Sequence, residues 1–328
     1  MNLKTSETKR GPARAESAVA VLLCDLIDYA GLFPPASLAM APAVANYQAY
    51  LCSEYGWILG RFVLPVARLD EFARALAEAP AQPSIGQPAI GQPATAGPGT
   101  SWELSVLPGV DISGDVARIH EFNHRFAASH LPARAEIKSI EMRITSPEGI
   151  HRLARMIPAE LETYFEIPFS GNERECIAAV ADCGRRAKIR TGGETADKFP
   201  APESVIEFIR LCAAANVPFK ATAGLHHPLR SVHHFTYQPD SPSGIMHGFL
   251  NVFIASAFLR TGMERGFALQ LLNERSTQAF HFDSGGVIWR EHRVGLQDVA
   301  AARQHFSISF GSCSFTEPID DLRSLHLL

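Results

Sequence analysis

Apolar and polar positions along the chain fall into two alternating patterns: short β-rich runs, and longer stretches in which apolar residues recur at helical spacing. The short runs are residues 61–66 (RFVLPV), 103–107 (ELSVL), 137–144 (IKSIEMRI), 163–168 (TYFEIP), 187–191 (AKIRT) and 218–223 (PFKATA). Helical periods fall between them at 69–78, 116–128, 149–156, 173–181 and 202–215. This alternation predicts βα units around a parallel sheet. The expected fold class is therefore α/β, a TIM-barrel-like (β/α)-barrel with irregularities and a C-terminal β-hairpin.

Four stretches depart from the simple repeat. Residues 246–259 (MHGFLNVFIASAFL) have the length and alanine content of a helix, with a strand running into a helix as the alternative. Residues 280–294 (FHFDSGGVIWREHRV) predict a hairpin, because alternating apolar residues flank the turn signal Asp283-Ser284-Gly285-Gly286. Residues 308–318 (ISFGSCSFTEP) are expected either to close the barrel or to pack on its floor. Asp25, Asp28 and Tyr29 precede Gly31-Leu32-Phe33-Pro34-Pro35, whose prolines enforce an extended path. That segment is expected to cap the barrel bottom or contact a neighbouring subunit; the alternative is that it covers the mouth and contributes an acid.

Residues 1–16 are polar and without periodicity, and are expected to form a disordered tail. Residues 81–100 contain an imperfect IGQPA repeat that buries too little apolar area to offset the entropy of ordering it. They are expected to be a disordered loop insertion inside a single barrel domain spanning 17–328, since the same pattern of elements continues on both sides.

Composition narrows the function classes. An apolar fraction of 46% with 20% charged residues supplies a sizeable core. A net charge of −4 without a basic run offers no footprint for nucleic acid or an anionic membrane, which leaves a small molecule as the expected partner and a homo-oligomer as an option. The apolar run 18–24 is short and is followed by Asp25 and Asp28, so it does not predict a signal peptide. No stretch approaches the ~18–20 apolar residues of a membrane span. The six cysteines lack CxxC spacing and are expected to be reduced thiols in a cytoplasmic protein.

Candidate chemistry collects where strands end and loops begin, because those loops converge on one face of a βα fold. The densest polar set is Lys188, Arg190, Thr191, Gly192 and Gly193 in AKIRTGG, with Lys220, Thr222, Gly224, His226 and His227 in FKATAGLHH. A strand interior seldom carries a lysine unless it points into the barrel, since an unpaired buried ammonium costs several kcal/mol. Two successive strands with an early lysine point to carbonyl chemistry: one lysine, made neutral by its surroundings, attacks a carbonyl to form a Schiff base. Glu166 is then the expected acid/base. The bland alternative is that the lysines pair with Glu141 or Glu166 as a structural bridge.

The pair AKIRTGG and FKATAGLHH, a helical stretch apart, resembles the sixth and seventh strands of deoxyribose-phosphate-type class I aldolases. The resemblance covers these two strands and their surroundings, and implies Lys188 as Schiff-base nucleophile and Lys220 as the residue that tunes it. The family's glycine-rich phosphate loop has no match, and Leu225-His226-His227 stands where its glycine and arginine motif would be. The segments GLFPPA, FKATAGLHHP, MHGFLNVF and FGSCSF also resemble segments of a bacterial protein family, a likeness that implies no activity.

The expectation is thus an aldol-type lyase with Lys188, Lys220 and Glu166 as catalytic residues. Glu141, Arg190, Thr191, Gly192, Gly193, Thr222, His226 and Arg230 are the substrate-binding candidates; the glycines offer backbone N–H groups and the arginines charge to an anion. No cofactor is firmly expected. The first alternative is a metal-dependent isomerase or lyase with Glu141, Glu166 and His226 around a divalent ion. The second is a barrel that binds a ligand without catalysis, favoured if both lysines are fully paired and no cleft opens beside them.

Overall fold

The structure, a computed structural model, describes residues 17–79, 101–128 and 134–328; the expected tail (1–16) lies outside the described residues, as does the loop insertion (81–100). Eight parallel strands close a barrel: β1 (Ile27–Tyr29), β2 (Leu59–Pro65), β3 (Ser101–Leu107), β4 (Arg134–Arg143), β5 (Glu162–Glu166), β6 (Arg186–Arg190), β7 (Phe219–Thr222) and β13 (Ser307–Ser312), which pairs with both β7 and β1. The intervening β8 (Ser231–His234) and β9 (Ser243–Met246) form a two-stranded excursion after β7. β10 (Phe280–Asp283), β11 (Gly286–Trp289) and β12 (His292–Gly295) form a separate antiparallel sheet.

The period of two in the barrel strands separates two environments. In β6, Ala187 and Ile189 pack outward against the helices and are fully buried, while Lys188 and Arg190 turn inward and pair with Glu166. In β7, Phe219 and Ala221 face outward and Phe219 meets Phe208 and Phe306 edge-on at 5.8 and 5.2 Å. Helices wrap the outside. α1 to α4 are Ala18–Leu23, Met40–Leu51, Leu69–Glu78 and Ile112–Ala127, and α5 to α7 are Pro147–Met156, Glu173–Asp182 and Pro202–Ala214. α8 (Phe249–Arg260), α9 (Arg265–Leu272), α10 (Leu296–His305) and α11 (Thr316–Ser324) complete the set.

Local signals set several boundaries. Asp111 and Ser146 accept hydrogen bonds from Gly114 and Gly149 N–H and cap α4 and α5, satisfying amide groups that a first helical turn leaves open. α8 is apolar nearly all round because it is enclosed: Phe249 and Phe253 lie against Phe310 of β13 at 5.2 and 6.0 Å, and α9 and α10 cover its other faces. No helix among the described residues is long and apolar enough to cross a membrane.

The expected C-terminal hairpin is present, β10 and β11 pairing antiparallel around Asp283 to Gly286, and β12 extends it to a three-stranded meander, because Arg290 adopts a left-handed conformation (φ 54°) and turns the chain a second time. One expectation needs correction: the segment around Asp28 does not cap the barrel bottom; it is β1, which aligns beside β2 and β13. The helix reading of 246–259 holds from Phe249 onward, and 308–318 supplies the closing strand.

Candidate active site

Strand register places the two lysines side by side. Lys188 and Lys220 are Cα partners across β6 and β7, and Glu166 is the partner of Lys188 across β5 and β6. Both side chains point into the lumen and are 5% and 1% exposed, too buried for an unpaired ammonium to persist. They are paired. Lys188 Nζ lies 2.9 Å from Glu141 Oε2 and 3.0 Å from Glu166 Oε2. Lys220 Nζ lies 2.5 Å from Glu141 Oε1 and 2.5 Å from Asp28 Oδ2. Glu141, on β4 across the lumen, therefore bridges the two ammonium groups.

Hydroxyls and amides fill the remaining acceptor positions. Ser105 Oγ donates to Glu141 at 2.5 Å and Ser139 Oγ donates to Ser105 at 2.6 Å. Asp28 accepts from Ser309 Oγ at 2.7 Å and from the Arg61 N–H at 2.8 Å. Arg190 Nε donates to Glu166 at 3.1 Å. Asp28, Glu141 and Glu166 are thus matched by Lys188, Lys220 and Arg190, so the cluster is formally neutral. That balance makes burial tolerable: each buried ion costs several kcal/mol, which only close, fully hydrogen-bonded partners return.

The charges fix the protonation pattern. Burial pushes the Glu141 carboxyl up, but the Lys188 and Lys220 ammonium groups outweigh it and hold Glu141 well below the usual carboxylate range. At Glu166 burial also acts upward, and Lys188 and Arg190 again reverse the sign. For Lys220 burial disfavours the charge, but the Asp28 and Glu141 carboxylates more than compensate and hold its pKa above the ordinary lysine value. Below this layer, Tyr164 lies 5.1 Å from Lys220 Nζ, and Arg61 reaches Glu162 at 2.7 Å.

A cleft of about 930 Å³ opens above the cluster at the C-terminal ends of the barrel strands. Glu141, Glu166, Lys188 and Lys220 are in its wall, together with Arg190, Gly193, Thr222 and His226. Lys188 is a little more open than Lys220, at 6% against 2% side-chain exposure. The lysines are therefore both ion-paired, as the bland reading requires, and at the edge of a cleft, as the functional one does.

Other candidates are placed differently. The Thr191 hydroxyl donates to the Ala223 carbonyl at 2.6 Å and is fully buried, tying β6 to β7. Gly192 packs against Gly224: a Cβ on Gly192 would stand 2.7 Å from the Gly224 Cα, so this glycine serves close backbone approach. Arg230 lies outside the cleft and donates to His247 Nδ1 at 3.0 Å. His247 Nε2 donates in turn to the Pro200 carbonyl at 2.8 Å, and burial pushes this imidazole down to about 4.

The ligand set Glu141, Glu166 and His226 is not assembled. Both carboxylates face ammonium groups, and His226 Nδ1 is 2.9 Å from Glu317 on α11. Among the described residues no three His, Cys, Asp or Glu side chains converge on a point that suits a metal ion.

Sequence reasoning offered Asp28 only through the alternative that its segment contributes an acid at the mouth, and left out Ser105, Ser139 and Ser309. The signal for the three serines was the period of two: Ser139 shares an inward face with Glu141, and Ser105 and Ser309 alternate with the buried Leu104, Val106 and Phe310. No family model matches the chain, and neither a curated protein nor a solved structure matches it.

Proposed function

We propose that this protein is an aldol-type carbon–carbon lyase in which Lys188 forms a Schiff base with a carbonyl substrate. The observation that carries the reading is the position of Lys188: at the cleft, within 3.0 Å of two carboxylates, beside a second lysine that its own carboxylates hold protonated. Lys220 keeps its proton, so Lys188 is the amine left to react.

In the first step Lys188 hands a proton to Glu166, and its nitrogen adds to the substrate carbonyl carbon. A proton passes from the added nitrogen to the new alkoxide, Glu166 returns its proton to the resulting hydroxyl, which leaves as water, and the product is a protonated imine. A cluster carboxylate then takes the proton of the substrate's β-hydroxyl. The carbon–carbon bond breaks with its electron pair flowing into the imine, releasing an aldehyde and leaving an enamine. Protonation at carbon and addition of water release the second carbonyl product and restore Lys188. Lys220 supplies a fixed positive charge beside the developing imine, and Glu141 holds the two amines in register.

Full ion pairing of both lysines favours a second reading, a ligand-binding barrel without covalent chemistry. Borohydride separates the two, because it delivers hydride to an imine carbon and makes the bond permanent. A panel of small aldehydes and ketones, read by intact mass and peptide mapping, gives an adduct at Lys188 under the lyase reading and none under the binding reading.

A further inference from the structure

We infer that the cleft takes a substrate with a carboxylate end and an apolar, ring-sized body, the class of an aromatic 2-oxo acid rather than a short sugar. The carbonyl part of this assignment rests on the Schiff-base reading; the charge and the ring rest on the cleft alone.

The charge comes from two arginines above the buried cluster. Arg143 stands two residues beyond Glu141 on β4, and Arg190 two residues beyond Lys188 on β6, so each lies about 7 Å further along its strand. β5 runs between them, which sets the strands about 10 Å apart and lets two guanidinium groups reach one anion from either side. Both line the cleft and both are exposed. Arg143 has no ion-pair or hydrogen-bond partner among the described residues, and only Nε of Arg190 is engaged, by Glu166.

The acids in the same wall do not cancel this charge. Glu141 and Glu166 are bound to lysines, and Asp197 is held by Lys198 at 3.1 Å and by the Thr195 hydroxyl at 2.5 Å. Glu194 is solvent-exposed on the loop beyond Gly193. Gly192 and Gly224 pack backbone against backbone, and the exposed forked guanidinium groups carry the recognition.

The ring comes from apolar side chains spread around the same mouth: Phe169 just beyond β5, Val63 on β2, Leu107 at the end of β3, and Phe33, Phe235 and Met246 from the segments that follow β1 and β7. Phe169 is 39% exposed at this cleft, and Phe235 is held in place by stacking on Phe199 at 5.0 Å. Exposed aromatic surface in a concave wall is the usual mark of a ligand's apolar side. A cleft of about 930 Å³ also lies at the upper end of the range suited to ligands far larger than a short sugar.

The test uses 3-phenylpropanoate, which carries ring and carboxylate but no carbonyl, in calorimetric titration of the full chain. Saturable binding is expected, at least tenfold tighter than for propanoate or 3-phenylpropanol, and weakened tenfold or more in Arg143→Gln, whose unchanged thermal melt excludes misfolding. Equal binding of the three compounds, no binding of any, or an Arg143→Gln variant that binds normally overturns the inference. Borohydride trapping with phenylpyruvate reports separately on the imine. Titration without trapping keeps this inference and removes the Schiff base, and trapping without a preference for the ring and carboxylate does the reverse.

Discussion

Lys188 and Lys220 are lateral neighbours on adjacent strands, and their ammonium groups close on opposite oxygens of one carboxylate, that of Glu141. Two cations brought this near would repel strongly in a low-dielectric lumen without the acid between them. The arrangement couples the stability of the barrel to the chemistry of its mouth.

Glu141→Gln should therefore be costly. It leaves two buried ammonium groups sharing one fewer carboxylate, and the expected loss is about 3–5 kcal/mol of unfolding free energy. Adding Lys220→Met should recover part of that loss, since it removes one of the stranded charges. Urea denaturation of the two single variants and the double variant checks this. Additive losses would show that Glu141 and Lys220 do not interact.

Acid should act first through His247 and only later through the cluster. The fold holds His247 neutral, with a value pushed down to about 4 from an ordinary value near 6.5. Its contribution is thus present above about pH 6.5, where the unfolded chain is also neutral, and is lost as pH falls toward 4. The expected decline is up to about 3 kcal/mol over that window. Glu141 and Glu166 are lowered in the fold, so their contribution begins to fall only below the ordinary carboxylate value of about 4.3. Denaturation curves of His247→Gln should lose most of the decline between pH 6.5 and 4, with burial of His233, also lowered, supplying the remainder, and should keep the decline below that window.

Glu166→Gln removes one of the two carboxylates within 3.0 Å of Lys188 Nζ while leaving Glu141 to pair with both lysines. Imine formation should slow by about 10²–10⁴, the usual contribution of a positioned acid or base, without loss of the trapped product at long times. Stopped-time borohydride quenching measures the rate. An unchanged rate would assign the proton transfer to Glu141 instead.

The two lysines were legible because each stands between apolar residues that pack outward, Ala187 and Ile189 in β6 and Phe219 and Ala221 in β7. The βα alternation was legible because the outward halves of the strands and the inner faces of the helices are both apolar. Asp28 was legible only as the less favoured alternative, since β1 has only three residues and its central aspartate looks like a break in an apolar run. Its role depends on the closing strand β13, almost the full chain length away, through Ser309. Thr191 and Arg230 have the chemistry of binding residues, and in the fold a backbone carbonyl and His247 engage them, partners that the sequence pattern does not reveal. Arg290 was missed as a turn because positive φ at a non-glycine residue leaves little trace in sequence.

The most direct test of the central claim is reductive trapping in which the modified residue is mapped, comparing the unaltered chain with Lys188→Met and Lys220→Met. The only other lysines are Lys4, Lys9, Lys138 and Lys198, so peptide mapping distinguishes every site. The account predicts a single adduct at Lys188 that Lys188→Met abolishes and Lys220→Met slows. An adduct at Lys220, or labelling spread evenly over the other lysines, would contradict it.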